Sequence, residues 1–177
     1  TRVTASGVYR IFQQDQGRID PANRYLLAVK KDPQRDYWCE FRQRFSANRW
    51  LSAGVSLLWS PWGDSSSAGT AYGSNGGGQL LDTTPGSPDG KDDSALVIGR
   101  TFSDFGAQVH ITPLAKGGTV PESIDVAVNT GAFPGNRAPA LEMLVSSEAA
   151  GVNEAVSFTA TAADSDGDPL AYAWDWG

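Results

Sequence analysis

Five aspartates, Asp82, Asp89, Asp92, Asp93 and Asp104, fall within twenty-three residues, and Asp164 and Asp166 stand one residue apart in a glycine-containing turn. Carboxylates concentrated in Asp- and Gly-rich turns are what a hard cation such as Ca²⁺ takes, because it is held by oxygen donors on a backbone that can kink toward it. Like charges this close repel unless a cation or a basic group neutralises them, and Lys91 and Arg100 are the only basic residues in the first cluster. Two readings stand for each cluster. The first is a structural Ca²⁺ site, with Asp82 and Asp104 best placed because they border expected strands, Asp93 between them, and Asp164 with Asp166 in the later turn. The second is a solvated acidic turn, since Asp, Ser, Gly and Pro dominate turns for conformational reasons alone.

Catalytic chemistry has fewer carriers. A zincin needs two histidines one helical turn apart with a glutamate between them, and this chain has one histidine, His110, in a strand-like segment. A Ser-His-Asp triad would have to use that same residue, which is expected to be an ordinary interstrand or surface histidine. Cys39, the only cysteine, shares a face with Tyr37 and Phe41 and reads as a small buried hydrophobe; it leaves no internal disulfide possible. Nothing singles out a pair of carboxylates for glycosidase work. No catalytic motif is present, and whether a longer parent protein is an enzyme stays open.

The elements that position these residues are strands. Twenty Gly, ten Pro and six Trp among 177 residues, with no convincing helical run, point to an all-β chain in which turns separate short strands. Strand-like segments cover residues 8–12, 25–31, 37–43, 55–60, 79–82, 95–99, 107–114 and 123–129. Several alternate cleanly, as in Ile124, Val126 and Val128 inward against Asp125, Ala127 and Asn129 outward, the pattern of a half-buried antiparallel sheet. That number of strands suffices for a sandwich. The Gly- and Ser-rich tract at 63–78 reads as a long mobile loop. Trp50, Trp59 and Trp62 flank it as possible platforms for sugar rings or peptide side chains, with Trp62 expected to be exposed and Trp59 to lie in the core. Prolines bracketing residues 134–139 mark a boundary, dividing the chain into 1–134 and 135–177. After it, Val156, Phe158 and Ala160 alternate, and Leu170, Tyr172, Trp174 and Trp176 predict a final aromatic strand.

Charge is uneven. Residues 1–60 carry ten Lys/Arg against five Asp/Glu, net +5, while residues 61–177 carry four against fifteen, net −11. No nucleic-acid motif frames the basic residues, so they read as a solvated sheet face rather than a nucleic-acid surface. No apolar run approaches the ~20 residues of a membrane span. The chain opens on Thr1 and stops at Gly177 within an aromatic strand, so it is expected to be a piece of a longer protein whose further domains are partners in the same polypeptide.

Residues 136–177 resemble the opening half of a PKD domain, an immunoglobulin-like module of extracellular proteins. The carriers are Asn136-Arg-Ala-Pro139, Ala155-Val-Ser-Phe-Thr-Ala160, Asp164-Ser-Asp-Gly-Asp-Pro169 and Tyr172-Ala-Trp-Asp-Trp-Gly177. Residues 1–130 are similar to the β-sandwich region that follows the catalytic domain in some secreted bacterial zinc metallopeptidases of the gametolysin type. There the carriers are Asp36-Tyr-Trp-Cys-Glu-Phe-Arg42, Gly54-Val-Ser-Leu-Leu-Trp59, Leu80-Leu-Asp-Thr-Thr-Pro-Gly86, Ala95-Leu-Val-Ile-Gly-Arg-Thr-Phe-Ser-Asp104 and Val109-His-Ile-Thr-Pro113. The resemblances imply a jelly-roll-like antiparallel sandwich followed by an incomplete immunoglobulin-like one, and a secreted or cell-surface location. The PKD resemblance adds Asn136 as a further oxygen donor to calcium. Together they imply a non-catalytic accessory region of a secreted protein, with a metallopeptidase as its expected parent. The alternative is a structural or adhesive surface protein that binds polysaccharide, surface protein or neighbouring subunits.

Overall fold

The computed structural model describes residues 1–44, 48–60, 78–118, 120–132, 137–172 and 174. Asn136, Trp62, Trp176 and residues 63–77 of the Gly/Ser tract lie outside the described residues. The chain divides into two compact units, Thr1–Ala132 with Ala171–Gly177, and Phe133–Leu170.

Alternation, not helical periodicity, shapes the first unit. It contains β1 (Gly7–Phe12), β2 (Leu26–Lys30), β3 (Asp36–Glu40), the one-turn helix α1 (Arg49–Ser52), β4 (Gly54–Ser60), β5 (Gln79–Leu80), β6 (Leu96–Val97), β7 (Phe102–Asp104), β8 (Val109–Gly117) and β9 (Ser123–Thr130). One antiparallel sheet runs β1-β9-β8-β7, and the other runs β2-β3-β4-β5 with β6 paired to β4. Ile124, Val126 and Val128 of β9 are fully buried with Ile11, Val109 and Ile111 from their own sheet. They share one core with Leu27, Val29, Cys39, Val55 and Leu57 of the other. An all-β, sandwich-like architecture is thereby established, since each strand contributes only its inward alternate residues to the layer between the sheets.

Three departures from the sequence reading have local causes. Asn48 caps α1, its Oδ1 accepting the N–H groups of Trp50 at 3.0 Å and Leu51 at 3.3 Å; a single turn has no periodicity to detect. β7 is three residues long, below the length at which alternation is legible. β8 continues past Pro113 to Gly117, with the register slipping between Pro113 and Ala115. A proline is tolerated there because β7 pairs only as far as Ile111, so the missing N–H interrupts no ladder on that side.

In the second unit β10 (Ala140–Val145) pairs antiparallel with β11 (Phe158–Ala163). β11 matches the alternation centred on Phe158. β10 was not expected, because Leu141, Glu142, Met143 and Leu144 are helix formers with no clean period of two. The described tail residues Leu170, Ala171, Tyr172 and Trp174 belong to no strand, which corrects the expected aromatic strand. Among the described residues no helix is long and apolar enough to cross a membrane.

Candidate functional site

The turn after β5 gathers two of the aspartates. Asp82 opens it as an Asx turn, its Oδ1 accepting the Thr84 N–H at 3.0 Å. Asp93, only 8 % exposed, closes it: its Oδ1 accepts the Thr84 hydroxyl at 2.8 Å and the Ser87 hydroxyl at 2.9 Å. The Thr84 Oγ1 also lies 3.2 Å from Asp82 Oδ1. A hydroxyl has one proton, so it can donate to only one of these carboxylates at a time. Neither Asp82 nor Asp93 has an ion-pair partner among the described residues, although Arg100 lines a hollow with each of them. Two carboxylates, a threonine hydroxyl and a serine hydroxyl thus meet with no positive charge bound to them.

Asn48 links this turn to an aromatic face. Besides capping α1, its Nδ2 donates to the Asp92 carbonyl at 2.6 Å, which sets Trp50 beside the acidic turn. The hollow between them has a volume of about 380 Å³ and is lined by Trp50, Thr84, Ser87, Asp93, Val97 and Arg100 among others. A second hollow of about 390 Å³ shares Thr83, Pro85 and Arg100 and continues to Asp82, Phe102 and Ser103. An indole, a carboxylate, a guanidinium and hydroxyls thus line one open hollow.

Asp104 does not join Asp82 and Asp93 in that turn. It stands between the sheets, where its Oδ2 accepts the Tyr37 hydroxyl at 2.6 Å and lies 3.4 Å from Lys31 Nζ. Its Oδ1 takes the Ala107 N–H at 2.9 Å. The Tyr37 hydrogen bond, reinforced by the Ala107 N–H and Lys31, holds the Asp104 carboxyl below the usual range. Tyr37 is raised far above its ordinary value, first by burial and then by Asp104. The Tyr37 ring meets Phe102 edge-on at 5.1 Å. Asp104 is thus an inter-sheet clasp with its cation already supplied.

Asp164 and Asp166 also have separate partners. Asp164 Oδ1 accepts the N–H groups of Asp166 at 2.8 Å and Asp168 at 3.1 Å. Asp166 accepts the Arg137 N–H at 2.8 Å and its guanidinium at 3.0 Å, and that arginine holds the Asp166 carboxyl below its usual range. Here the side chains serve a turn and an ion pair. Among the described residues no three His, Cys, Asp or Glu gather as a metal-ligand group. Asp82 and Asp93 share the Thr84 hydroxyl as a neighbour, at 3.2 and 2.8 Å.

The two groups most reactive by type are sequestered. His110 is 1 % exposed, its Nδ1 2.9 Å from the cross-strand Ser103 hydroxyl, with Phe105 edge-on to the ring at 5.6 Å. Cys39 is fully buried, and desolvation pushes its thiol well above the range in which a thiolate forms. Trp59 keeps the inward alternation of Val55 and Leu57 but ends at the rim, half-buried, with Arg35 4.6 Å and Lys31 5.3 Å from its ring. Thr84 and Ser87 escaped the sequence reading; the Asp82-x-Thr84 spacing of an Asx turn was the available signal.

No protein family, curated protein or solved structure matches the chain. Its reading therefore rests on the geometry above.

Proposed function

We propose that the chain is a non-catalytic accessory region of a larger extracellular protein, binding a substrate or surface at the Trp50–Arg100 hollow and stabilised by calcium at Asp82 and Asp93. The observation that carries it is the Asn48 linkage, which sets an aromatic face and the carboxylate-hydroxyl turn around one open hollow while His110 and Cys39 are folded away. The resemblance of residues 1–130 extends the proposal to a zinc metallopeptidase as parent. Incubating the chain with panels of polysaccharides and peptides should show retention without turnover, and Trp50→Ala should reduce that retention. Product formation from any of them would overturn the non-catalytic reading.

The calcium part has its own test. With Ca²⁺ tenfold above its Kd, removing it with a chelator should cost about 1.4 kcal/mol and lower Tm by roughly 4 °C. Asp93→Asn should abolish the response, and Asp166→Asn should leave it intact. A melt indifferent to chelator would rule calcium out of this turn.

A second reading, a structural or adhesive protein, is favoured by the second unit. Leu141, Met143 and Leu144 are 60 % or more exposed on β10, and Phe158 is 42 % exposed on β11. Apolar sheet surface of this kind is what subunits bury on association. Sedimentation showing a monomer at all concentrations would remove it.

A further inference from the structure

Cations of the basic half sort into two groups. Arg2, Arg10, Arg35 and Arg42 are ion-paired to Asp36, Asp125, Asp32 and Glu40. Arg24, Arg18 and Arg44 have no such partner among the described residues, and the last two stand apart by position. Both line an open groove of about 790 Å³, larger than either hollow beside Arg100. Two carboxylates are nearby, neither ion-paired to Arg18 or Arg44 among the described residues: Asp15 accepts the backbone N–H groups of Gln43 and Arg44, and Asp20 Oδ1, in the groove lining, accepts the Ala22 N–H at 2.9 Å. The two guanidinium groups are left to solvent or to a ligand.

The rest of the lining indicates the kind of ligand. Gln13, Gln16 and Asn23 bring side-chain amides to the groove, that of Gln16 already donating one N–H to the Tyr25 hydroxyl at 3.0 Å. Gln13 uses its Oε1 on the Glu122 N–H, which leaves its amide N–H₂ available as a donor. Ile19 and Val120, 74 % and 94 % exposed, add apolar contact. All of these residues come from the loop after β1, the segment after β3 and the turn before β9, so among the described residues no strand lines the groove for an extended peptide to pair with. Planar guanidinium groups match carboxylates in bidentate fashion, and amides match hydroxyls.

We propose that this groove binds an acidic polysaccharide, with Arg18 and Arg44 clamping its uronate carboxylates and the Gln13, Gln16 and Asn23 amides addressing its hydroxyls. This deepens the binding reading at a site separate from the Trp50 hollow.

The test is titration of the full chain with polygalacturonate, with dextran as the neutral polymer and poly-L-glutamate as the acidic peptide. Polygalacturonate should bind, more weakly as salt is raised, and more tightly than poly-L-glutamate. Combining Arg18→Gln with Arg44→Gln should weaken it about tenfold, the size expected for two exposed charge contacts, while leaving Tm unchanged. Arg24→Gln, an exposed arginine outside the groove, should bind as the wild type does. Wild-type chain that ignores polygalacturonate, an equal loss in Arg24→Gln, or tighter binding of poly-L-glutamate would each overturn the assignment. Loss in Trp50→Ala but not in the double variant would overturn this groove while supporting the broader binding reading. Retention of no polymer or peptide by any variant would overturn both.

Discussion

Gly54→Ala should lower the unfolding free energy by about 3 kcal/mol and Tm by roughly 10 °C. Gly54 begins β4 and is buried directly opposite Val97 of β6. A Cβ there would run into the Leu96 carbonyl oxygen and come within 2.6 Å of the Leu96 carbonyl carbon and 2.7 Å of Val97 Cα. These are backbone atoms, which cannot rotate away as a side chain does, so β6 would have to leave β4. Leu96 is a core residue, and the chain before it carries Asp93 while the chain after it carries Arg100. Gly7→Ala is the control: its Cβ would meet only the Tyr9 ring at 3.7 Å, ordinary contact on an exposed position. Thermal melts of the two variants distinguish the cases, and a Gly54→Ala melt matching Gly7→Ala would mean that β6 does not pack as described.

How far the sequence reveals these features depends on distance along the chain. Alternation is a local signal, so β9, with Ile124, Val126 and Val128 all inward, was legible, as were the segments that became β3 and β4. The aromatic alternation near the terminus was equally local and misleading: alternation shows which face could be buried, and a partner strand decides whether it is. The acidic clusters were legible as charge, but their partners were not. Tyr37 and Asp104 are 67 positions apart, and Arg137 and Asp166 are 29 apart; no spacing rule connects them. The same limit hid Arg18 and Arg44, which meet at one groove because three separate loops converge there. What could be read locally was the Asp82-x-Thr84 turn.

Asp104→Asn should destabilise the first unit by about 2 kcal/mol at neutral pH, because it removes a charge-assisted hydrogen bond and leaves the Tyr37 hydroxyl with a poorer acceptor. The pH dependence separates this from simple loss of packing. The folded-state pKa of Asp104 is depressed by Tyr37, Ala107 and Lys31, so its contribution is present above the unfolded value near 4 and is lost as pH falls through the lower folded value. The gap between wild type and Asp104→Asn should accordingly be full at pH 6 and narrow in acid. At the other limb the sign reverses. Tyr37, raised chiefly by burial, contributes stability that is present below its unfolded value near 10 and is lost as pH rises above it, because the unfolded chain ionises first. Tyr37→Phe should lose that alkaline limb and should cost little further once Asp104 is Asn, since each partner's removal breaks the same contact. Melting curves of the two single variants and the double variant from acid to alkali provide the measurement. Strict additivity, or an Asp104→Asn gap that does not change with pH, would mean that the two sheets are not joined through this hydroxyl and carboxylate.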